Sequence, residues 1–242
     1  MRSGETFSLV KRWINDCCSH HVECRSSTNP TELPTRLICV YPVGTSSKIR
    51  ANICRGNLLP KDTPYLTLSH CWGEIEFLTT TRATLSAYEC SLPIDSLSRT
   101  FQDALLATLE LGFLYLWIDS LCIVQDDPED WKRESHSMYE IYRNASCNIS
   151  ASGFSDGQEG FILDERRIDP TLVDVSLARA ATQNLFGDKH YLTCAFPWEE
   201  MREGPIFRRA WTLQEQLLVS SLMNGEINVV TILTGETYGT FR

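Results

Sequence analysis

The chain has 242 residues, of which 43% are apolar, 10% aromatic and 22% charged, as expected for one globular domain with or without an appendage. This composition excludes collagen, coiled coil and low-complexity disorder. The net charge is −9 and Lys and Arg form no block, which argues against binding to nucleic acid or to an anionic membrane. Since neither a signal peptide nor an apolar run of about 18 residues is apparent, we expect a cytoplasmic protein.

The ten cysteines point away from a disulfide framework, because no export signal accompanies them. They read instead as buried thiols or metal ligands. Cys39, Cys122 and Cys147 lie in apolar, strand-like runs, where a free cysteine behaves as a small hydrophobic residue.

The N-terminal part, residues 1–59, is predicted to be an extension made of a helix and a strand. The helix covers 5–24, and the Ser/Pro-rich loop 26–34 separates it from a strand at 35–43. Gly and Pro punctuate residues 44–64, which we assign to a connection with room for one short strand.

Strands and helices alternate through residues 60–153, the predicted core. In chain order they are a strand at 65–68, a helix at about 100–111, a strand at 114–118, a helix at about 128–145 and a strand at 147–151. Thr100 and Asp103 are spaced as a capping box and Gly112 would end the first helix, whereas Asp127 and Pro128 would open the second. The alternation predicts an α/β fold with a parallel sheet.

The C-terminal part, residues 154–242, gives a weaker pattern. We predict a strand near 191–195 and a helix opened by Thr212, with Glu215 three residues later.

Small and polar residues follow two of the predicted strands. In an open parallel sheet, ligands bind beyond the carboxyl ends of the strands, so both groups would line one pocket. The candidate substrate-binding residues are Ser69, Cys71, Trp72, Gly73, Asp119 and Ser120. Gly73 would allow close backbone approach, and Trp72 offers either a stacking face or core packing.

Glu134 is the candidate catalytic residue. At about 100° per residue, it falls on the apolar arc of the helix 128–145, together with Trp131, Met138, Ile141, Tyr142 and Ala145. A buried carboxylate needs a partner, a shifted pKa or a ligand. Two interpretations therefore stay open: a functional carboxylate beside Trp131, or an ion pair with an arginine from elsewhere, for instance Arg208 or Arg209.

Two other sites are weaker. Cys18, His21 and Cys24 have ligand-like spacing, with Cys39, His70 or Cys71 as a fourth zinc ligand. Metal sites usually combine ligands from separate elements, which favours a helix that packs its thiols inward. Cys71 with His70 or His136 as base would make a nucleophile. We assign no metal site.

The sequence resembles the fungal heterokaryon-incompatibility (HET) domain family. The resemblance is carried by YLTLSHCWG at 65–73, by the block from TFQDALLATLELGFLYLWIDS to MYEIYRNA at 100–145, and by RRAWTLQEQLL at 208–218. His70 stands where Tyr is common. The residues before the core also fit the family, whereas those after Leu218 do not, as in a truncated or alternatively spliced gene product.

The resemblance implies a filamentous-fungus protein that acts in nonself recognition and regulated cell death. It also implies a remote similarity to Toll/interleukin-receptor (TIR) domains, hence a flavodoxin-like parallel sheet flanked by helices, with family-specific C-terminal additions. Several TIR domains hydrolyse NAD with a Glu in a Trp-x-x-x-Glu or Trp-Cys-x-x-Glu pattern. Here Trp131 and Glu134 form Trp-x-x-Glu, which is one residue shorter.

The first functional hypothesis is thus NAD hydrolysis at the nicotinamide–ribose bond, with Glu134 stabilising an oxocarbenium-like state. NAD would be a substrate, with Trp72 or Trp131 as a substrate-binding residue that stacks on a base, and no cofactor is predicted. The second is a non-catalytic, death-fold-like adaptor that self-assembles or binds an incompatibility partner. A third is a metal-dependent or thiol hydrolase that uses the N-terminal Cys and His residues.

Overall fold

A computed structural model describes residues 4–20, 33–44, 48–72, 77–151, 160 and 230–233. The helices are α1 (Gly4–His20), α2 (Leu85–Cys90), α3 (Arg99–Glu110), α4 (Asp119–Cys122) and α5 (Pro128–Arg143). The strands are β1 (Arg36–Pro42), β2 (Ile49–Arg55), β3 (Leu66–His70), β4 (Tyr115–Trp117), β5 (Cys147–Ala151) and β6 (Val230–Leu233). The predicted strands at 35–43, 65–68, 114–118 and 147–151 are confirmed to within two residues, and β2 is the short strand expected in the connection.

One sheet contains all six strands, in the order β2-β1-β4-β3-β5-β6. Strands β4, β3, β5 and β6 are parallel, and helices flank them, which confirms the predicted flavodoxin-like α/β class. Strand β1 runs antiparallel to both β2 and β4. The sheet is therefore mixed, because two strands joined by a short connection pair as an antiparallel hairpin.

The two long helices of the core lie on opposite faces of the sheet. Successive strand residues point to opposite faces, so His70 and Thr67 of β3 face opposite ways. The ring of His70 contacts that of Phe101 on α3 at 4.8 Å. On the other face, Trp117 is paired in register with Thr67 and its ring contacts that of Tyr142 on α5 at 5.6 Å.

The helix ends follow the sequence in most respects. Asp127 caps α5 by accepting hydrogen bonds from the amides of Glu129 and Asp130, as predicted, and Gly112 adopts a φ of +87° just beyond α3. The predicted Thr100 cap is wrong. Ser98 caps α3 instead, accepting from the Phe101 amide, because the chain becomes helical two residues earlier and carries Thr100 into the buried first turn.

The core lies between the sheet and its helices and includes Trp117, which is fully buried. Cys122 and Cys147 are also fully buried, and burial raises the pKa of the Cys122 thiol to about 12, so both behave as small apolar side chains. Cys39 is half-buried.

Several predictions fall outside the described residues: the last turn of the N-terminal helix, the strand near 191–195 and the helix opened by Thr212. Strand β6 was not predicted. No helix in the described ranges is long and apolar enough to cross a membrane.

Candidate ligand site at the carboxyl edge of the sheet

The carboxyl ends of β3 and β4 bring together the two groups of residues that the sequence singled out. These strands are adjacent and parallel. The chain after β3 leads to α3 on one face, whereas the chain after β4 leads through α4 to α5 on the other. Ligands of open α/β sheets bind in the crevice outside the carboxyl ends of the strands.

His70, Trp72 and Asp119 meet in this crevice. His70 Nε2 lies 3.1 Å from Asp119 Oδ1, and Trp72 Nε1 donates to Asp119 Oδ2 at 2.8 Å. The Ser120 amide donates to Asp119 Oδ1 at 2.7 Å. A carboxylate thus joins the ends of two strands and fixes the indole that follows β3.

Both ring nitrogens of His70 lie close to oxygen atoms. Its Nδ1 lies 3.1 Å from the Cys71 carbonyl oxygen, and Nε2 faces the Asp119 carboxylate. An ionised Asp119 carries no proton, so in the contact between them the His70 Nε2–H is the donor. Burial alone would raise the pKa of Asp119. The charge of His70, with hydrogen bonds from His70, Trp72 and the Ser120 amide, outweighs burial and lowers that pKa.

The short helix α4 is held in place behind this cluster. Thr80 donates from its amide to the Ser120 carbonyl at 3.0 Å and from its hydroxyl to the Leu121 carbonyl at 2.6 Å. Gln125 Nε2 donates to the Asp119 carbonyl at 3.2 Å. These contacts fix the backbone that carries Asp119.

The remaining predicted rim residues differ in accessibility. Ser69 is buried and shares hydrogen bonds with Asn148, on the face opposite to His70. Cys71 and Ser120 are also buried. Asp119 keeps 21% of its side chain exposed and Trp72 is half-buried, so these two present the accessible surface. Gly73 lies outside the described residues.

Glu134 lies on the buried side of α5, as predicted, at 1% exposure. Its arginine neighbours are Arg36, whose Nη2 is 3.8 Å from Oε1, and Arg133, whose Nε is 3.6 Å away. Arg36 also pairs with Asp130 and donates to the Cys122 carbonyl at 2.5 Å. The ion-pair interpretation therefore has Arg36 as partner; Arg208 and Arg209 lie outside the described residues.

The electrostatics of Glu134 are unusual. Burial raises the pKa of its carboxyl, with Asp130 adding to the rise, although the Thr35 hydroxyl, Arg36 and Arg133 oppose it. Within the described ranges, Glu134 Oε1 accepts no hydrogen bond, because the guanidinium groups approach it without hydrogen-bond geometry. Such an oxygen is a site where a further donor would be stabilised.

Trp131 does not share the buried side of α5. Its exposure is 43%, so the predicted burial beside Glu134 is wrong. In the first turn, Asp130 faces inward instead, because it pairs with Arg36 and accepts from the Val124 amide at 2.8 Å. Any ligand contact of Trp131 stays a prediction.

The thiol and metal alternatives gain nothing from the geometry. His70 directs its nitrogens at oxygen atoms, and His136 is exposed on α5 with Nδ1 2.8 Å from the Lys132 carbonyl. Among the residues that the structure describes, no group of three or more His, Cys, Asp or Glu side chains could hold a metal. His21 and Cys24 lie outside them.

Three contributors were missed as site residues: His70, considered only as a thiol base or zinc ligand, and Arg36 and Asp130. His70 is the last residue of β3, and Asp119 begins α4 just after the neighbouring strand. This position at the carboxyl end of a strand could have identified His70 as a site residue. Arg36 shows none, because its partners are 86 and 94 residues away in sequence.

Comparison with known proteins identifies the family. The model of the heterokaryon incompatibility protein (HET) family matches residues 65–215, more than half of the chain, from just before β3 to beyond β5. Neither curated proteins nor solved structures gave a match. The family assignment indicates a role in heterokaryon incompatibility. On this match the chain belongs to the heterokaryon incompatibility (HET) family.

Proposed function

We propose that this protein is a cytoplasmic effector of fungal nonself recognition that triggers regulated cell death by hydrolysing NAD. The family assignment supports the biological half of the proposal. The chemical half rests on one observation: the buried Glu134 carboxylate, near the carboxyl edge, has an oxygen without a hydrogen bond from the described residues.

The reaction needs little general acid catalysis. The C1′–N bond breaks with its electron pair going to the cationic nicotinamide, which leaves neutral. Positive charge develops on the ribose, and a carboxylate stabilises this oxocarbenium-like state. Water then adds at C1′ and loses a proton, giving ADP-ribose. Glu134 would stabilise the developing charge or hold a ribose hydroxyl, and its raised pKa would ease proton uptake from the water.

This role places a requirement on the protein. At 1% exposure, Glu134 cannot touch a ligand unless neighbouring groups move aside. Arg133 is the readiest to move, because 56% of its side chain is exposed. Catalysis would therefore need an activated form in which the first turns of α5 open, as on assembly with a partner.

The second candidate is a non-catalytic adaptor that acts by self-assembly or by binding an incompatibility partner. The observation that favours it is the contact of Glu134 with Arg36. In this view the carboxylate belongs to a buried ion network that joins β1 to α5, and function resides on the surface.

NAD turnover separates the two candidates. Nicotinamide release is measured for purified protein, alone and fused to an oligomerising segment, in wild type, Glu134→Gln and Glu140→Gln. Glu140 is exposed on the same helix, so its substitution is a matched control. The catalytic proposal predicts turnover in wild type and Glu140→Gln and a loss of at least about 100-fold in Glu134→Gln.

Turnover retained by Glu134→Gln, or absent from concentrated, oligomerised wild type, rejects catalysis at this residue. Thermal unfolding of each variant supplies the folding control. A wild type that forms oligomers without consuming NAD, and whose Glu134→Gln variant unfolds at lower temperature, is the adaptor result.

A further inference from the structure

The partly exposed carboxylate of Asp119 indicates a ligand site independently of the buried Glu134 carboxylate. We propose that Asp119 and Trp72 form a subsite for a ribose of a nucleotide, with Asp119 Oδ2 accepting a hydrogen bond from one hydroxyl of the ribose diol. The identity of the nucleotide rests on the proposed function. Glu134 is not part of this subsite, whose accessible surface lies in the crevice between β3 and β4.

The acceptor capacity of Asp119 supports the proposal. An ionised carboxylate has about four lone-pair positions. Oδ1 faces the Ser120 amide and His70, whereas Oδ2 faces the Trp72 indole N–H. A position on Oδ2 is therefore left for an incoming donor, and 21% of the side chain is open to solvent.

The sign of the charge selects the ligand group. The lowered pKa keeps Asp119 ionised at neutral pH, so the subsite repels phosphate and favours neutral donors such as hydroxyls. The indole of Trp72 is held by the same carboxylate and supplies an apolar ring beside it. A carboxylate next to an aromatic face matches a sugar, which has hydroxyls at its edge and C–H groups on its face.

His70 acts as a positioning residue. It is too buried to meet a ligand, with 3% of its side chain exposed, and its ring is fixed by the ring of Phe101 at 4.8 Å. Its Nε2 faces Oδ1 of Asp119 at 3.1 Å and leaves Oδ2 to Trp72 and the ligand. The position of the cluster outside the carboxyl ends of parallel strands adds support that does not depend on electrostatics.

Binding without catalysis tests the subsite. ADP-ribose binding is measured by calorimetric titration of wild type, Asp119→Asn and the exposed control Asp62→Asn. The same titrations are repeated with ADP-ribose analogues that lack a 2′- or 3′-hydroxyl on either ribose. We expect about 10- to 100-fold weaker ADP-ribose binding in Asp119→Asn, as for loss of a charge-assisted hydrogen bond. One deoxy analogue should bind weakly to wild type, and Asp119→Asn should no longer discriminate it from ADP-ribose.

The pH profile tests the role of His70. His70→Leu removes the imidazole whose interactions lower the pKa of Asp119 and leaves Trp72 and the Ser120 amide as donors, so the pKa of Asp119 rises. As pH is lowered, ADP-ribose binding should then begin to weaken at a higher pH than it does in wild type. His70→Gln, which can still donate to Asp119 but carries no charge, should bind more tightly than His70→Leu. An unchanged acid limb in a folded His70→Leu overturns the positioning role.

Each remaining outcome decides one proposal. Absence of ADP-ribose binding to wild type, equal binding by Asp119→Asn, or unchanged discrimination of every deoxy analogue overturns the subsite. Hydroxyl-dependent binding without NAD consumption by concentrated, oligomerised wild type supports the subsite and rejects the hydrolase. If Asp119→Asn consumes NAD with the KM of wild type, the subsite proposal is rejected and the hydrolase proposal is retained.

Discussion

Replacing Arg36 with Met tests whether the buried ion network holds the fold. Arg36 is 8% exposed, pairs with Asp130 and donates to the Cys122 carbonyl at 2.5 Å. Met has a similar length and no charge, so the substitution removes these contacts with little change in volume. We expect a large loss of stability.

The magnitude follows from what is left behind. Asp130 and Glu134 keep only 4% and 1% of their side chains exposed, and removing one partner of a buried ion pair costs about 3–5 kcal/mol. The Cys122 carbonyl also loses a donor. Arg55→Met is the control: Arg55 pairs with Glu89 at 3.0 Å but is 62% exposed, and such surface pairs contribute about 0–1 kcal/mol.

Urea unfolding measures both changes. With a slope of about 2–3 kcal/mol per M, Arg36→Met should lower the midpoint by about 1.5 M, and Arg55→Met by less than about 0.5 M. In the double variant Arg36→Met/Asp130→Asn both partners are gone. Its loss should be smaller than the sum of the two single losses by about 1.5 kcal/mol or more.

Two results would refute this reasoning. A loss below about 1 kcal/mol for Arg36→Met would show that solvent reaches the network. Strict additivity in the double variant would show that Arg36 and Asp130 do not stabilise one another. Either result would remove the ion-pair explanation for the burial of Glu134.

Two further predictions concern pH and packing. Burial raises the pKa of the Glu134 carboxyl in the folded state, so the native protein binds this proton more readily than the unfolded chain does. In urea titrations, wild type should therefore gain stability relative to Glu134→Gln as pH falls from about 7 to about 5. An unchanged stability difference between the two proteins would contradict the raised pKa. A Cβ at Gly56 would lie 2.0 Å from the backbone oxygen of Pro34, so Gly56→Ala should lower the free energy of unfolding by about 1–3 kcal/mol. The loss is measured as a lower Tm, and an unaltered Tm would mean that the backbone at Pro34 shifts at no energetic cost.

The alternation of strands and helices from β3 to β5 could be predicted because local signals agree there. Asp127 and Gly112 occur where a helix must begin or end, and the apolar runs have strand length. The N-terminal cap of α3 failed because Ser98 and Thr100 are both capable caps, and only tertiary packing decides which of them lies outside the helix.

The candidate site was predictable in position and less so in its partners. Parallel neighbours bring Asp119 and the residues after β3 to one edge, whatever their detailed contacts. The pairing of Arg36 with Asp130 depends on β1 joining the sheet beside β4, which no local pattern encodes. Trp131 was misplaced because its helix turns a different side inward at its first turn, where an ion pair competes with an indole for burial.

The central position of β3 has a consequence for synthesis on the ribosome. This strand is flanked by β4 and β5, both of which are made later, so Thr67 and its neighbours have no hydrogen-bonding partners when they first emerge. Pairing over such sequence separations is slow, and unpaired strands invite association with other chains. A nascent polypeptide stalled before residue 115 would therefore expose an adhesive segment and lack the carboxylate that completes the crevice, which makes this stretch a natural target for chaperones.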